Sequence, residues 1–326
     1  MRAAVVQACG IPPVATESPE LVPGEGETLV QVAVAPITPL DVLCASGTSY
    51  FGAPALPYVP GVQGVGWLAD GSRVWFPTQA GMRPGDGSMA ELCVVPTGDL
   101  VPIPDGLSDE TAAALGLSAV AAWMSLTWRA GLQPGEQVLV LGAGGAVGQV
   151  AVQAARLLGA RRVVAVCRSP EAQKRATDDG ADVVVPLHDS DTPADLAERL
   201  RQALDGGVDV VIDPVFGIPA TAATHVLAPH ARIVNLGGAA SESATFTSAS
   251  LRSTSASLLG YTNNALTPAQ RRQALTEIFS HAANGALHVA HTVTPLTDIT
   301  STWSTGAGTP ASRPVIRIGT KPNTTG

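Results

Sequence analysis

The sequence predicts an α/β protein in which a doubly wound parallel sheet is inserted between two parts of a smaller, β-rich domain. Three observations carry that expectation. The first is an apolar run at 138–141, bracketed by Pro134-Gly135 and a cluster of glycines. It gives way at once to helical spacing: Val147, Val150, Ala151, Ala154, Leu157 and Leu158 recur on one face, and Gly159 stands where the helix stops. The second is that this strand–helix rhythm repeats to about residue 262, with further strands at 162–166, 182–185, 208–213, 231–236 and 256–259. The third is that residues 1 to about 107 lack the rhythm. They offer short strands broken by Gly and Pro at 3–7, 28–35, 62–68, 73–76 and 91–95, the pattern of a small irregular barrel.

Taken in order, the amino terminus reads as a first strand rather than a signal peptide. Thr38-Pro39-Leu40-Asp41 is a helix start, with Thr38 as N-cap, Pro39 as first helical residue and Asp41 as capping-box partner. Ser108-Asp109-Glu110-Thr111 is a second, leading into the apolar run 112–123. Thr267-Pro268-Ala269-Gln270 is a third, followed by a buried stripe of Leu275, Ile278, Phe279 and Ala282 and closed by Asn284-Gly285. Strand-like segments at 288–293 and 314–318 finish the chain. The expected division is therefore 1–109 and 263–326 for the β-rich domain and 110–262 for the parallel-sheet domain.

The totals narrow the function. A length of 326 residues with 45 % hydrophobic side chains fills two cores. Only 14 % charged residues and a net charge of −8 argue against a nucleic-acid or membrane surface, and no stretch is expected to reach transmembrane length. Cys9, Cys44, Cys93 and Cys167 are scattered without CxxC spacing, so neither a disulfide framework nor a zinc knuckle is indicated. A cytoplasmic protein is expected.

The chemistry centres on Gly142, Gly144, Gly145 and Gly148. Their GxxGxxG spacing, with one extra glycine, sits in the strand–turn–helix context that lets backbone N–H groups of Ala146, Val147 and Gly148 approach a pyrophosphate. An ordinary tight turn is the alternative. The next strand favours the dinucleotide. Where an NAD site places a carboxylate, this chain has Cys167 followed by Arg168 and Ser169, with Lys174 further on. A guanidinium, a hydroxyl and an ammonium attract a 2′-phosphate, so NADPH is the expected cofactor. Val215, after one strand, and Leu236-Gly237, after the next, lie at carboxyl ends where such ligands bind. Gly260 is expected beside the nicotinamide or at a dimer edge.

The segments 35–41, 59–66, 87–91, 102–107, 138–148, 209–215 and 236–238, in this order, resemble the medium-chain dehydrogenase/reductase superfamily, in particular its zinc-free quinone oxidoreductase and enoyl reductase branch. The resemblance implies a GroES-like catalytic domain built from both ends of the chain, a Rossmann domain between, and a homodimer. It implies that Thr38 and Asp41 lie beside the nicotinamide, although their capping-box spacing gives both a structural role as well. It places Tyr50 near a family tyrosine, where a phenol can donate to an enolate oxygen; a packed surface tyrosine is the alternative. Arg313 falls near a basic position that relatives use by the cofactor phosphates. The positions matching the zinc ligands of related alcohol dehydrogenases are Thr38, Val62 and Leu115, and no histidine precedes His188, so no catalytic metal is expected.

A nicotinamide enzyme without a Lewis acid favours acceptors whose hydride lands on a carbon conjugated to a carbonyl. The expected activity is NADPH-dependent reduction of a quinone, enone or enoyl substrate. The alternatives are a biosynthetic tailoring reductase acting on an imine, iminium or enoyl group of a larger metabolite, and a non-catalytic NADPH-binding redox sensor.

Overall fold

The structure, a computed structural model, describes residues 1–306 and 312–319. The chain folds as two compact units. One comprises Met1–Gly116, Pro268–Gly285 and the described residues from Val289 onward; the other comprises Leu117–Thr267 with Ala286–His288.

The first unit opens with β1 (Arg2–Val5), β2 (Val14–Glu17) and β3 (Glu27–Pro36), then helix α1 (Pro39–Ser46). Strands β4 (Gln63–Trp67), β5 (Arg73–Pro77), β6 (Leu92–Pro96) and β7 (Val101–Pro102) follow, and α2 (Asp109–Met124) leads out of the unit. Ten residues long, β3 is the spine, pairing antiparallel with both β4 and β6. Val30, Val32, Phe76 and Met89 fill the core over it. Each fully buried aliphatic or aromatic side chain of this kind contributes about 1.5–3 kcal/mol.

In the second unit the chain forms β8 (Gln137–Leu141), α3 (Ala146–Leu157), β9 (Arg162–Cys167), α4 (Pro170–Asp178), β10 (Val183–Pro186), α5 (Pro193–Ala203) and β11 (Val208–Asp213). It continues through α6 (Gly217–Ala223), β12 (Leu227–Asn235), α7 (Ser248–Arg252) and β13 (Ser257–Gly260). The six strands pair in the order β10-β9-β8-β11-β12-β13, every neighbour parallel. This is the doubly wound arrangement, with its reversal point between β8 and β11. All five residues of β8 are buried, as a central strand covered on both faces requires.

The chain then returns to the first unit with α8 (Pro268–Ala283), β14 (His291–Pro295), α9 (Ile299–Gly306) and β15 (Arg313–Arg317). The buried stripe of α8 is the expected one extended by Ala274. Strand β15 pairs antiparallel with β3 and so completes the sheet begun at the opposite end of the chain.

Several details depart from the sequence reading. The units divide after Gly116 and Thr267, later than 109 and 262, because the first turn of α2 is tied to the β-rich unit. Asp109 accepts from Arg73 Nε at 2.9 Å, and Glu110 accepts from Arg317 Nη2 at 2.9 Å. Gly116 (φ 29°, ψ −129°) breaks the helix where the units part, and a Cβ there would fall 2.7 Å from Gln63 Cδ. Strand β2 was not anticipated because all four of its residues are exposed, which leaves no alternation to read. The expectation that nothing reaches transmembrane length also needs correction. Residues Asp109–Ala130 form a 22-residue helical run with mean hydropathy 1.3. With 72 % of its apolar window buried in protein, this run reads as a core helix.

Candidate dinucleotide site

Strand β8 stops at Gly142, whose φ of +63° is open to glycine at little cost. The Ala143 N–H donates to the Val166 carbonyl on β9 at 2.9 Å and pins the turn to the neighbouring strand. Gly145 (φ −78°, ψ 164°) is the N-cap of α3 and supplies no side chain to the helix end. Its own N–H donates to Gly142 O at 3.1 Å, and its carbonyl accepts from Gln149 N at 2.9 Å. Ala146, Val147 and Gly148 therefore present first-turn N–H groups that have no intrahelical acceptor, at the positive end of the helix. The Gln149 side chain braces the turn from below, donating to Gly144 O at 2.9 Å.

The four glycines serve different ends. A Cβ on Gly142 would fall 2.5 Å from Val215 Cγ1, so this glycine lets the turns after β8 and β11 meet at the reversal point. On Gly144 it would fall 2.8 Å from Ala172 Cβ of α4, and on Gly148 it would fall 2.5 Å from Ala143 Cα. Those two are required by packing. Gly145 differs: the nearest protein atom to its Cβ position is Gly142 O at 3.7 Å, and its φ suits any residue. Nothing in the fold demands glycine there. A small residue there leaves the backbone of the turn open to close approach.

Beside the turn, the loops after β11 and β12 are knitted together. Asp213, fully buried, accepts from Phe216 N at 2.7 Å, Val215 N at 3.1 Å and Asn235 Nδ2 at 3.1 Å. Burial pushes its carboxyl up, and these bonds oppose the rise. Asn235 also donates to Gly237 O at 2.9 Å, while Leu236 N donates to Asp213 O at 3.0 Å. A Cβ on Gly237 would crowd Pro214 O at 2.9 Å. Phe216 carries φ 59°, ψ −157°, a region essentially reserved for glycine that costs about 1–3 kcal/mol. Gly260 ends β13 and its carbonyl accepts from Arg129 Nε at 2.9 Å. The Asp213–Asn235 brace was not anticipated; its sequence signal is a carboxylate and an amide ending adjacent parallel strands.

At the end of β9, Cys167 is buried and its thiol is pushed up to about 11 by that burial. Ser169 caps α4, accepting from Ala172 N at 3.2 Å. Arg168 lies 3.6 Å from the Asp189 carboxylate, and Lys174 Nζ lies 2.6 Å from Asp178. Both cations are more than half exposed, and surface pairs of this kind hold their partners weakly.

The remaining residues singled out from the sequence lie in the β-rich unit. Thr38 and Asp41 form the expected capping box at the start of α1. Asp41 Oδ2 accepts from Thr38 N at 2.8 Å and Thr38 Oγ1 at 2.6 Å; Oδ1 accepts from Gly61 N at 3.1 Å and Val62 N at 2.8 Å. Burial pushes this carboxyl up, while its hydrogen bonds and the Arg313 charge oppose the rise. Arg313 is itself buried, donates to Ile37 O at 2.9 Å and is brought down to about 10 by burial. It is thus grouped with Asp41 inside the β-rich unit. Tyr50 is 77 % exposed, with its ring 4.3 Å from that of Phe51. The Gly61 and Val62 amides, which complete the Asp41 knot, were not singled out from the sequence. Among the described residues, no three His, Cys, Asp or Glu side chains gather into a metal-holding group.

The fold has counterparts among known proteins. The zinc-binding dehydrogenase family matches residues 146–280. The crystal structure of the quinone oxidoreductase from Thermus thermophilus, also solved in complex with NADPH, is 31 % identical with a TM-score of 0.78. That match covers 98 % of this chain and 100 % of that one. A subunit of the phenolphthiocerol/phthiocerol polyketide synthase of Mycobacterium tuberculosis is 33 % identical over 80 % of this chain and 12 % of its own length. Bovine prostaglandin reductase-3 is 31 % identical over 68 % of this chain and 58 % of its own length. The chain thus spans a small fraction of the first of these curated relatives and just over half of the second. With the full-length match to a quinone oxidoreductase, the chain belongs to the medium-chain dehydrogenase/reductase superfamily, in its quinone oxidoreductase branch.

Proposed function

We propose that this chain is an NADPH-dependent reductase that transfers hydride, without zinc, to a conjugated carbonyl compound such as a quinone, enone or enoyl substrate. The observation that carries the reading is Gly145: a glycine that neither backbone angle nor packing requires, at a helix end without a side-chain cap, beside the reversal point of a parallel sheet. Residues present there suit the cofactor. The first-turn N–H groups of Ala146, Val147 and Gly148 suit a pyrophosphate. Arg168 and Lys174 suit a 2′-phosphate, with Ser169 fixing the start of the helix that carries Lys174. Val215, Leu236, Gly237 and Gly260 offer backbone and small surfaces toward the nicotinamide half. Bound NADPH would supply the hydride.

The chain's other work is to orient, to exclude water and to handle a proton. Thr38 has its hydroxyl committed to Asp41, and the Asp41 carboxylate accepts four hydrogen bonds, so both serve this reading by shaping the loop at 61–62. Tyr50 keeps its phenol in solvent, from where it can donate a proton. The zinc-free part of the reading rests on residue type: Val62 and Leu115, at two positions where zinc relatives carry ligands, are buried hydrocarbon. We also take the protein to be a cytoplasmic homodimer. β13, hydrogen-bonded only to β12 among the described strands, leaves an edge available for joining.

The test is NADPH oxidation by chelator-treated protein against a panel of quinones, enones and enoyl thioesters. Turnover that survives chelation is the expected result. Turnover restored only by added zinc would overturn the metal-free mechanism. Tight NADPH binding without oxidation by any acceptor would favour the redox sensor.

A further inference from the structure

Phe216 is an anomaly that the cofactor reading above does not use. Its φ of 59° and ψ of −157° belong to glycine, and Gly217, the very next residue, is a glycine at φ +63°. The backbone is held there from several sides. Asp213 Oδ1 takes the N–H groups of residues 215 and 216. In return, Ala239 N donates to Pro214 O at 3.3 Å and Ala240 N to Val215 O at 2.8 Å, so the loop after β12 is laced to the loop after β11. Thr245 N adds a bond to Thr221 Oγ1 at 3.1 Å.

The side chain explains why a phenylalanine is kept. Its ring meets that of Phe246 edge to face, centroids 5.8 Å apart and planes at 77°. Both residues are only partly buried. Rings serving the core alone would be covered. Phe216 instead stands at the carboxyl end of β11, one residue beyond Val215, whose side chain abuts the Gly142 turn, and Phe246, from the loop after β12, packs against it. Arg168 lies on the opposite side of the reversal point, after β9. A dinucleotide crossing that point with its 2′-phosphate toward β9 brings its nicotinamide half to the β11 and β12 side.

We propose that Phe216 and Phe246 form an aromatic clamp on the nicotinamide half of the bound dinucleotide, the strained Phe216 backbone being what aims the first ring. The inference rests on the dinucleotide reading of the glycine turn. Titration calorimetry tests it with two probes, NADPH and adenosine 2′,5′-bisphosphate, which contains only the adenine half. Phe216→Gly removes the ring and relieves the backbone, so its melting temperature should be no lower than that of the parent. NADPH should bind it about tenfold more weakly while the bisphosphate binds as before. Phe246→Ala should show the same NADPH-only loss and decides the matter should Phe216→Gly fail to fold. Equal weakening of both probes, or unchanged NADPH affinity, would overturn the clamp while leaving the dinucleotide site standing. A parent protein that binds neither probe would overturn both.

Discussion

The turn at 142–148 and the knot at 38–62 are both helix starts, and they treat their polar groups in opposite ways. At α1, the Asp41 carboxylate takes four hydrogen bonds and Thr38 completes the capping box, so the site is closed on itself. At α3 there is no side-chain cap at all, and a Cβ on Gly145 would meet Gly142 O at an unstrained 3.7 Å. The first helix start satisfies its own polar groups, and the second leaves its first-turn N–H groups without a side-chain acceptor. Under the proposed reading, the difference assigns binding to backbone donors and to the space beside Gly145 rather than to reactive side chains.

Substitutions can break that contrast. The largest effect is expected from Gly148→Ala, which forces a methyl to 2.5 Å from Ala143 Cα. A loss of about 3 kcal/mol or more should lower the melting temperature by about 6–12 °C. Asp41→Ala comes next. It strands the buried amides of Thr38, Gly61 and Val62, and a loss of about 2–3 kcal/mol should appear in denaturant unfolding. Gly145→Ala, in the same turn as Gly148, should leave the melting temperature unchanged and weaken NADPH at least about tenfold, because only the ligand meets the new methyl. If Gly145→Ala destabilises as Gly148→Ala does, the two glycines are equivalent and the contrast fails.

Smaller effects sharpen it. Arg168→Ala should weaken NADPH about fivefold and leave NADH binding unchanged, as a fluorescence titration with both coenzymes would read. The smallest concerns acid. Burial pushes the Asp191 carboxyl up, but the His188 N–H at 2.8 Å and the Arg199 guanidinium outweigh it and hold the group below its ordinary value. Its stabilising effect is therefore present above about pH 4 and lost as pH falls through the depressed value. Arg199→Met should flatten the acid limb of the stability curve by less than about 1 kcal/mol.

Much of this was legible in the residues. The run at 138–141 with its glycines and following helical stripe identified β8, the turn and α3, because a period change from strand to helix is a local property. Thr38-Pro39-Leu40-Asp41 likewise announced its own cap. What could not be read locally was partnership across the sheet. That Gly142 is required by Val215, and Gly144 by Ala172, depends on strands adjacent only in three dimensions. The same holds for Asp41, whose second pair of donors lies twenty residues away. Phe216 concealed its conformation because a bulky residue at positive φ contradicts every local preference. Arg313 reads as a phosphate ligand by its position in the family, yet it lies buried against Ile37 and Asp41.

The most direct test is a binding titration of the purified protein with NADPH and NADH at one ionic strength. The account predicts saturable binding of NADPH that is at least about tenfold tighter than that of NADH, as two exposed cations at the β9 end require. Equal affinity for the two coenzymes would contradict the assignment of Arg168 and Lys174, and failure to bind either would contradict the dinucleotide site itself.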